Sequence, residues 1–142
     1  MIDDIFGKYD KKKSIEAARK WLSQYWDWRD EARLKKPTIG SPSMDGLPTG
    51  SLYDADYKIV DYVNAEREWK VREEVLDYIA SKGDAHVTYK QILDDRFVHH
   101  HWSVTAVRMK LGLSERTFYD YQNEALWEAA KIIPDDHVRV SK

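Results

Sequence analysis

The side chains best equipped for recognition chemistry stand between Ser114 and Asn123. Arg116 carries a planar fork of N–H donors and Glu115 and Asp120 carry acceptors. Gln122 and Asn123 do both, and Thr117 and Tyr119 add hydroxyls. On one helix face such groups reach base edges and phosphates: Arg116 can pair with guanine through two hydrogen bonds, Glu115 or Asp120 can accept from cytosine, and Gln122 or Asn123 can take phosphate or a base. Other residues invite different chemistry without sustaining it. Three consecutive histidines, His99, His100 and His101, suggest a metal, but successive helical residues diverge by about 100° and cannot converge on one ion. In an extended loop His99 and His101 could share a side, yet the chain has no cysteine and carboxylate ligands would have to come from elsewhere. Asp94 and Asp95 are adjacent and so point apart on a helix, which reads as a solvated face rather than an acid–base pair. The sequence holds no Gly-Lys-Ser/Thr phosphate loop, no GxGxxG and no HExxH. It therefore predicts neither an enzyme nor a metal or cofactor site.

The recognition residues need a scaffold, and Val104 to Asn123, VTAVRMKLGLSERTFYDYQN, has the spacing of a helix-turn-helix. Val107 and Leu111 lie four apart on one face of a short first helix. Gly112 stands where the turn needs a left-handed backbone, and Ser114 can cap the second helix by accepting from a backbone N–H. Phe118, Tyr121, Ala125 and Leu126 then recur at helical spacing as a core-facing stripe. Arg108 departs from the pattern, because a small residue usually sits where the two helices cross, and its long stem is expected to snorkel outward. An ordinary corner between two amphipathic helices has the same spacing, so both readings stand on spacing alone.

Upstream, Ser14 to Leu34 reads as one helix, with Ile15, Ala18, Leu22, Tyr25 and Ala32 on its seam. Trp21 and Trp28 lie beside the seam and Trp26 off it. Lys36 to Tyr53 contains three of the four prolines and three of the six glycines and reads as a linker. Asp54 opens a long helix with Val60, Val63, Trp69, Arg72, Val75, Leu76 and Ile79 on its stripe, ended by Gly83. Thr88 can cap a further helix that turns Ile92, Leu93 and Phe97 inward, and Pro134 ends the last one. No β alternation is strong enough to predict a strand. The expected organisation is a basic helical arm over residues 1–36, a linker over 37–53, a helical domain over 54–134 with the helix-turn-helix at 104–123, and a frayed tail over 135–142.

At 142 residues the chain suits one domain with or without an arm, and 42% hydrophobic with 34% charged residues describes a soluble globular protein. Six Trp and nine Tyr are many for this length and predict aromatic packing or an aromatic partner surface. No apolar run approaches the ~18 residues of a membrane span, and the first residues, MIDDIFGKYDKKK, are acidic where a signal peptide would be basic; a cytoplasmic location follows as the expectation. The net charge of −2 hides an asymmetry. From Lys8 to Lys36 ten basic residues face five acidic ones, from Ser43 to Trp102 seven face twelve, and from Ser103 onward six face six. A neutral reading domain binds nucleic acid weakly unless a basic arm or a second copy assists. The first helix is accordingly expected to self-associate or to touch the DNA backbone.

The run LSERTFYDYQNEAL resembles the recognition helix of region 4 in bacterial sigma factors. The chain from about Lys12 to Ala130 is more closely similar to the ArpU-like family of phage transcriptional regulators. In that family a proline-rich SPxM-type segment precedes a four-helix, sigma-like DNA-binding domain ending in S-x-x-T-x-Y/F and N-E-A-L. The matching residues are Ser41-Pro42-Ser43-Met44 with Gly46-Leu47-Pro48, then Leu113-Ser114, Thr117-Phe118-Tyr119 and Asn123-Glu124-Ala125-Leu126. The resemblance implies an all-α fold and a sequence-specific double-stranded DNA-binding regulator of phage or prophage late genes in a bacterial host. It places Glu115, Arg116, Thr117, Tyr119 and Asp120 at the groove-facing start of the recognition helix. Two other readings remain open: a helical protein that contacts RNA polymerase or a phage partner without reading DNA, and a small terminase-like packaging subunit.

Overall fold

The computed structural model describes residues 5–37 and 51–142, with the backbone alone for 51–56. The SPxM-type segment lies outside the described residues. Six α-helices make up the described chain: α1 (Lys11–Ser23), α2 (Tyr25–Lys35), α3 (Ser51–Ala80), α4 (Asp84–Phe97), α5 (Val104–Leu111) and α6 (Glu115–Ile132). No strand forms among the described residues beyond an isolated antiparallel bridge between Tyr9 and Ser141.

The single helix expected over Ser14 to Leu34 is two helices separated by Gln24. α1 starts early because the Asp10 carboxylate accepts from the Lys13 N–H at 2.9 Å. It stops where side chains take over its last carbonyls. The Ser23 hydroxyl donates back to the Arg19 carbonyl at 2.8 Å, and Nε of Arg72 donates to the Trp21 carbonyl at 2.8 Å. Arg72, placed on the α3 stripe by its spacing, is 1% exposed and stacks on the Trp21 ring with 3.9 Å to the centroid. Its remaining donors reach Oε1 of Gln24 at 3.0 Å and both the carbonyl and Oε1 of Glu68, at 2.8 and 3.0 Å. One guanidinium thus fastens α3 to the break between α1 and α2.

Beyond that break, α2 runs antiparallel along α3: Tyr25 meets Glu73 at one end and Nζ of Lys35 lies 3.4 Å from Asp61 at the other. α1 packs on α6, with Lys11 at Glu124 and over the Trp127 ring. The main core joins Ala18 and Leu22 of α1, Leu76 and Ile79 of α3, Leu93 and Phe97 of α4, and Ala125, Leu126 and Ala129 of α6. The expected arm therefore lies in the same core as the rest, and its seam of Ala18, Leu22 and Tyr25, all fully buried, is closed to a second copy. Burial of this apolar seam against α6 removes more water-exposed area than a free arm could, which is why it folds back.

Three further boundaries differ from expectation. Residues 51–53 belong to α3 rather than to the linker. α4 begins at Asp84, a turn before Thr88, because Gly83 at φ 147° supplies a bend that L side chains rarely adopt. The tail is not frayed: Val138 is 4% exposed, the Asp10 N–H donates to the Val140 carbonyl at 2.6 Å, and the Val140 N–H donates to Oγ of the buried Ser14 at 2.9 Å. Finally, Val60 and Val63, expected in the core, are 64% and 50% exposed, because α2 covers the opposite side of α3 through Ala65 and Trp69.

Arg72→Met is expected to lower stability by about 3 kcal/mol, since it keeps the stem but removes every guanidinium hydrogen bond to Trp21, Gln24 and Glu68. Arg72→Lys should recover only part of that, because one ammonium cannot reach Trp21, Gln24 and Glu68 together. Urea denaturation midpoints of the two variants and the wild type measure both effects.

Candidate nucleic-acid interface

The corner between α5 and α6 is assembled from local signals. The Ser103 hydroxyl accepts from the Ala106 N–H at 3.1 Å, and that of Ser114 accepts from the Thr117 N–H at 3.2 Å, so a serine caps each helix. Gly112 sits at φ 68°, ψ 34°, and the Leu113 N–H donates to the Arg108 carbonyl at 3.0 Å, which closes the C-terminus of α5. A small core of Ile92, Val107 and Phe118, flanked by Val104, Leu111 and Leu113, joins α4, α5 and α6. Arg108 does turn outward: Nε lies 3.4 Å from the Leu113 carbonyl and the guanidinium 3.9 Å from Glu115.

The exposed start of α6 gathers Glu115, Arg116, Tyr119, Asp120 and Asn123. Arg116 and Asp120 form no ion pair among the described residues. Thr117 is half-buried, and its hydroxyl accepts from Ser114 Oγ at 2.9 Å. Gln122 is withdrawn from the set: it is 7% exposed and accepts from Nε of Arg96 at 3.0 Å. Tyr121 makes the opposite exchange, 38% exposed and edge-on to Tyr89 rather than in the core stripe. The buried line runs Phe118, Gln122, Ala125, Leu126 and Ala129, so the polar Gln122 lies at its middle and the aromatic Tyr121 at its margin. Hydrophobicity alone ranks these two the other way round.

Residues that the motif does not contain complete the face. Lys11, Lys12, Lys13 and Glu16 of α1 line one groove with Asn123 of α6. Lys11 also lies 3.6 Å from Glu124. Arg96 stands close enough to Tyr119 and Arg19 to feel both charges; burial holds its pKa below the ordinary arginine value, with Tyr119 opposing and Arg19 adding. The +5 excess counted from Lys8 to Lys36 is therefore not remote from α6, since the first turn of α1 borders it.

Two polar clusters hold the connection before α5. Asp95, 3% exposed, takes Nζ of Lys110 at 2.9 Å and Nδ1 of His100 at 3.1 Å, while the His100 ring stacks on Trp102 at 4.4 Å between centroids. His99 lies between two acids, with Nδ1 on Asp94 and Nε2 on Glu73 at 3.0 Å. Tyr25 donates to the same Glu73, and the Trp26 indole donates to the His99 carbonyl at 3.1 Å. Asp94 and Asp95 do point apart, yet each is engaged rather than solvated. His99 and His100 go to different acids, and among the described residues no group of His, Cys, Asp and Glu gathers to hold a metal. Burial disfavours charge on His99, but Glu73 and Asp94 outweigh it and its pKa is raised. Burial pushes the Tyr25 phenol up to about 12, and Glu73 adds to the shift.

Neither family models, curated proteins nor solved structures yield a match to this chain. No helix among the described residues is long and apolar enough to cross a membrane.

Two outcomes follow from the geometry. Gly112→Ala should cost about 1–2 kcal/mol through the left-handed backbone alone, since nothing stands within 4 Å of an added methyl, and Ser114→Ala about 1 kcal/mol. Thermal melts check both. A raised folded pKa means that the contribution of His99 is full below its unfolded value of ~6.5 and is lost as pH rises through the folded value. Wild-type protein should therefore lose stability relative to His99→Gln as pH climbs from below the unfolded value through the raised folded one, measured as the difference between their melting temperatures at each pH.

Proposed function

We propose that this protein is a sequence-specific double-stranded DNA-binding regulator of transcription, acting on phage or prophage genes as its resemblance to the ArpU-like family implies. The observation that carries the reading is the groove in which the first basic turn of α1 borders the exposed start of α6. A helix that offers a free arginine, two carboxylates, a tyrosine and an asparagine has the variety that base edges require, and the adjacent lysines supply the phosphate attraction that its neutral segment lacks. In this reading α6 enters the major groove by its N-terminal turns. Arg116 pairs with guanine O6 and N7, and Asp120 or Glu115 accepts from cytosine. Asn123, Lys12 and Lys13 meet the phosphates of the strand that crosses the groove between α1 and α6. Ser114 and Thr117 act on the helix start rather than on DNA, and Gln122 with Arg96 sets its height against α4.

Binding-site selection with random duplexes is expected to enrich one sequence. Arg116→Ala should weaken that site by about 1–3 kcal/mol and relax one base preference. Lys12→Ala with Lys13→Ala should instead lower affinity evenly across sequences and reduce the salt slope by about 2. A selection that enriches no sequence, or an Arg116→Ala profile identical to wild type, sinks the assignment.

A further inference from the structure

We propose that two copies of this chain associate through the outward face of α3, antiparallel about a two-fold axis beside the Lys70–Val71 bond. The inference does not rest on DNA binding. α3 carries apolar residues on its outer side as well as on the side that faces the core. Its inner side supplies Ala65, Leu76 and Ile79 to the core. Its outer side presents Val60, Val63, Arg67, Val71, Glu74 and Tyr78 at spacings of three and four, and Val60, Val63 and Tyr78 are 64%, 50% and 55% exposed. Beside this row Val71, Val75 and Tyr78 form a shallow trough with Ile132 and Pro134. Val60, Val63 and Tyr78 thus stand exposed along one row with Arg67 and Glu74 between them.

Charge identifies the occupant. Arg67 and Glu74 are exposed and form no ion pair among the described residues. They are equally distant in sequence from the Lys70–Val71 bond, and Val63 and Tyr78 are also equally distant from it. One two-fold axis therefore sets Arg67 against Glu74 of the partner subunit, twice, and with the same register sets Val63 against the trough at Tyr78. A parallel pairing in register would put Arg67 on Arg67. Self-complementarity about a two-fold is the signature of an isologous interface, and it is met here by charge and by apolar shape at once.

Sedimentation equilibrium of the full chain, from micromolar to submillimolar concentration, tests the pairing. The wild type should be a reversible dimer. Val63→Asp should be monomeric with an unchanged circular dichroism spectrum, since the site is exposed. Arg67→Glu alone and Glu74→Arg alone should each weaken the dimer about tenfold or more, by facing like charges, and the double exchange should restore it. A wild type that stays monomeric overturns the proposal. So does a dimer that keeps its strength in the two single charge variants, which are exposed and leave the fold intact even if Val63→Asp does not.

Discussion

The fold depends on one buried guanidinium. Without a partner at its end, the rod that begins at Lys11 would run on past Gln24, and α2 could not lie along α3 while α1 lies along α6. Arg72 resolves this by taking the Trp21 carbonyl that a continued helix would have used, together with the Gln24 amide. Burying the charge costs free energy, and desolvation lowers the Arg72 pKa. The cost is offset by acceptors on every side and by the Trp21 face at 3.9 Å. Among the described residues no buried side-chain nitrogen or oxygen lacks a hydrogen-bond partner.

That break sets what the rest can do. Because α1 turns onto α6, its basic first turn borders Asn123 instead of standing apart as an arm. Because α2 turns onto α3, Tyr25 and Trp26 reach the His99 segment, and the connection between α4 and α5 is tied at one end by Glu73 and Asp94 and at the other by Asp95. The corner at Gly112 thereby sits on a connection held by charged hydrogen bonds rather than on a free loop. Under the proposed function such fastening spares the cost of ordering the site on binding.

The charge map takes its meaning from the same arrangement. The C-terminal segment is neutral, and the basic first turn of α1 lies beside it across the α1–α6 groove. The acidic middle segment lies mostly on α3 and α4, where Glu73, Asp94 and Asp95 are used internally to hold histidines and a lysine. What remains on the outer face of α3 is a row of exposed valines and Tyr78 with Arg67, Lys70 and Glu74 among them, the row on which the proposed pairing rests.

The sequence by itself determined the local grammar. The Ser114 cap, the left-handed Gly112, the inward faces of Val107 and Phe118, the Pro134 stop and the all-α character follow from side-chain hydrogen bonding, backbone sterics and periodicity within a few residues, and all were legible, whereas the Ser103 cap was not read. Six of the seven candidate readers, from Glu115 to Asn123, lie on the exposed or half-buried side of α6 as helical phase predicts. Only the tertiary structure decided the rest. Gln122 goes inward because Arg96 waits there, Tyr121 outward because Tyr89 offers an edge, and the 135–142 tail is held because Ser14 accepts from Val140 and the Asp10 N–H donates to it. Whether Arg72 is a surface residue or a bolt, and whether Val60 and Val63 are core or exposed, depends on which neighbour arrives from 30 to 50 residues away. Periodicity gives the face of a helix, but burial and hydrogen-bond satisfaction are set by the partner opposite it.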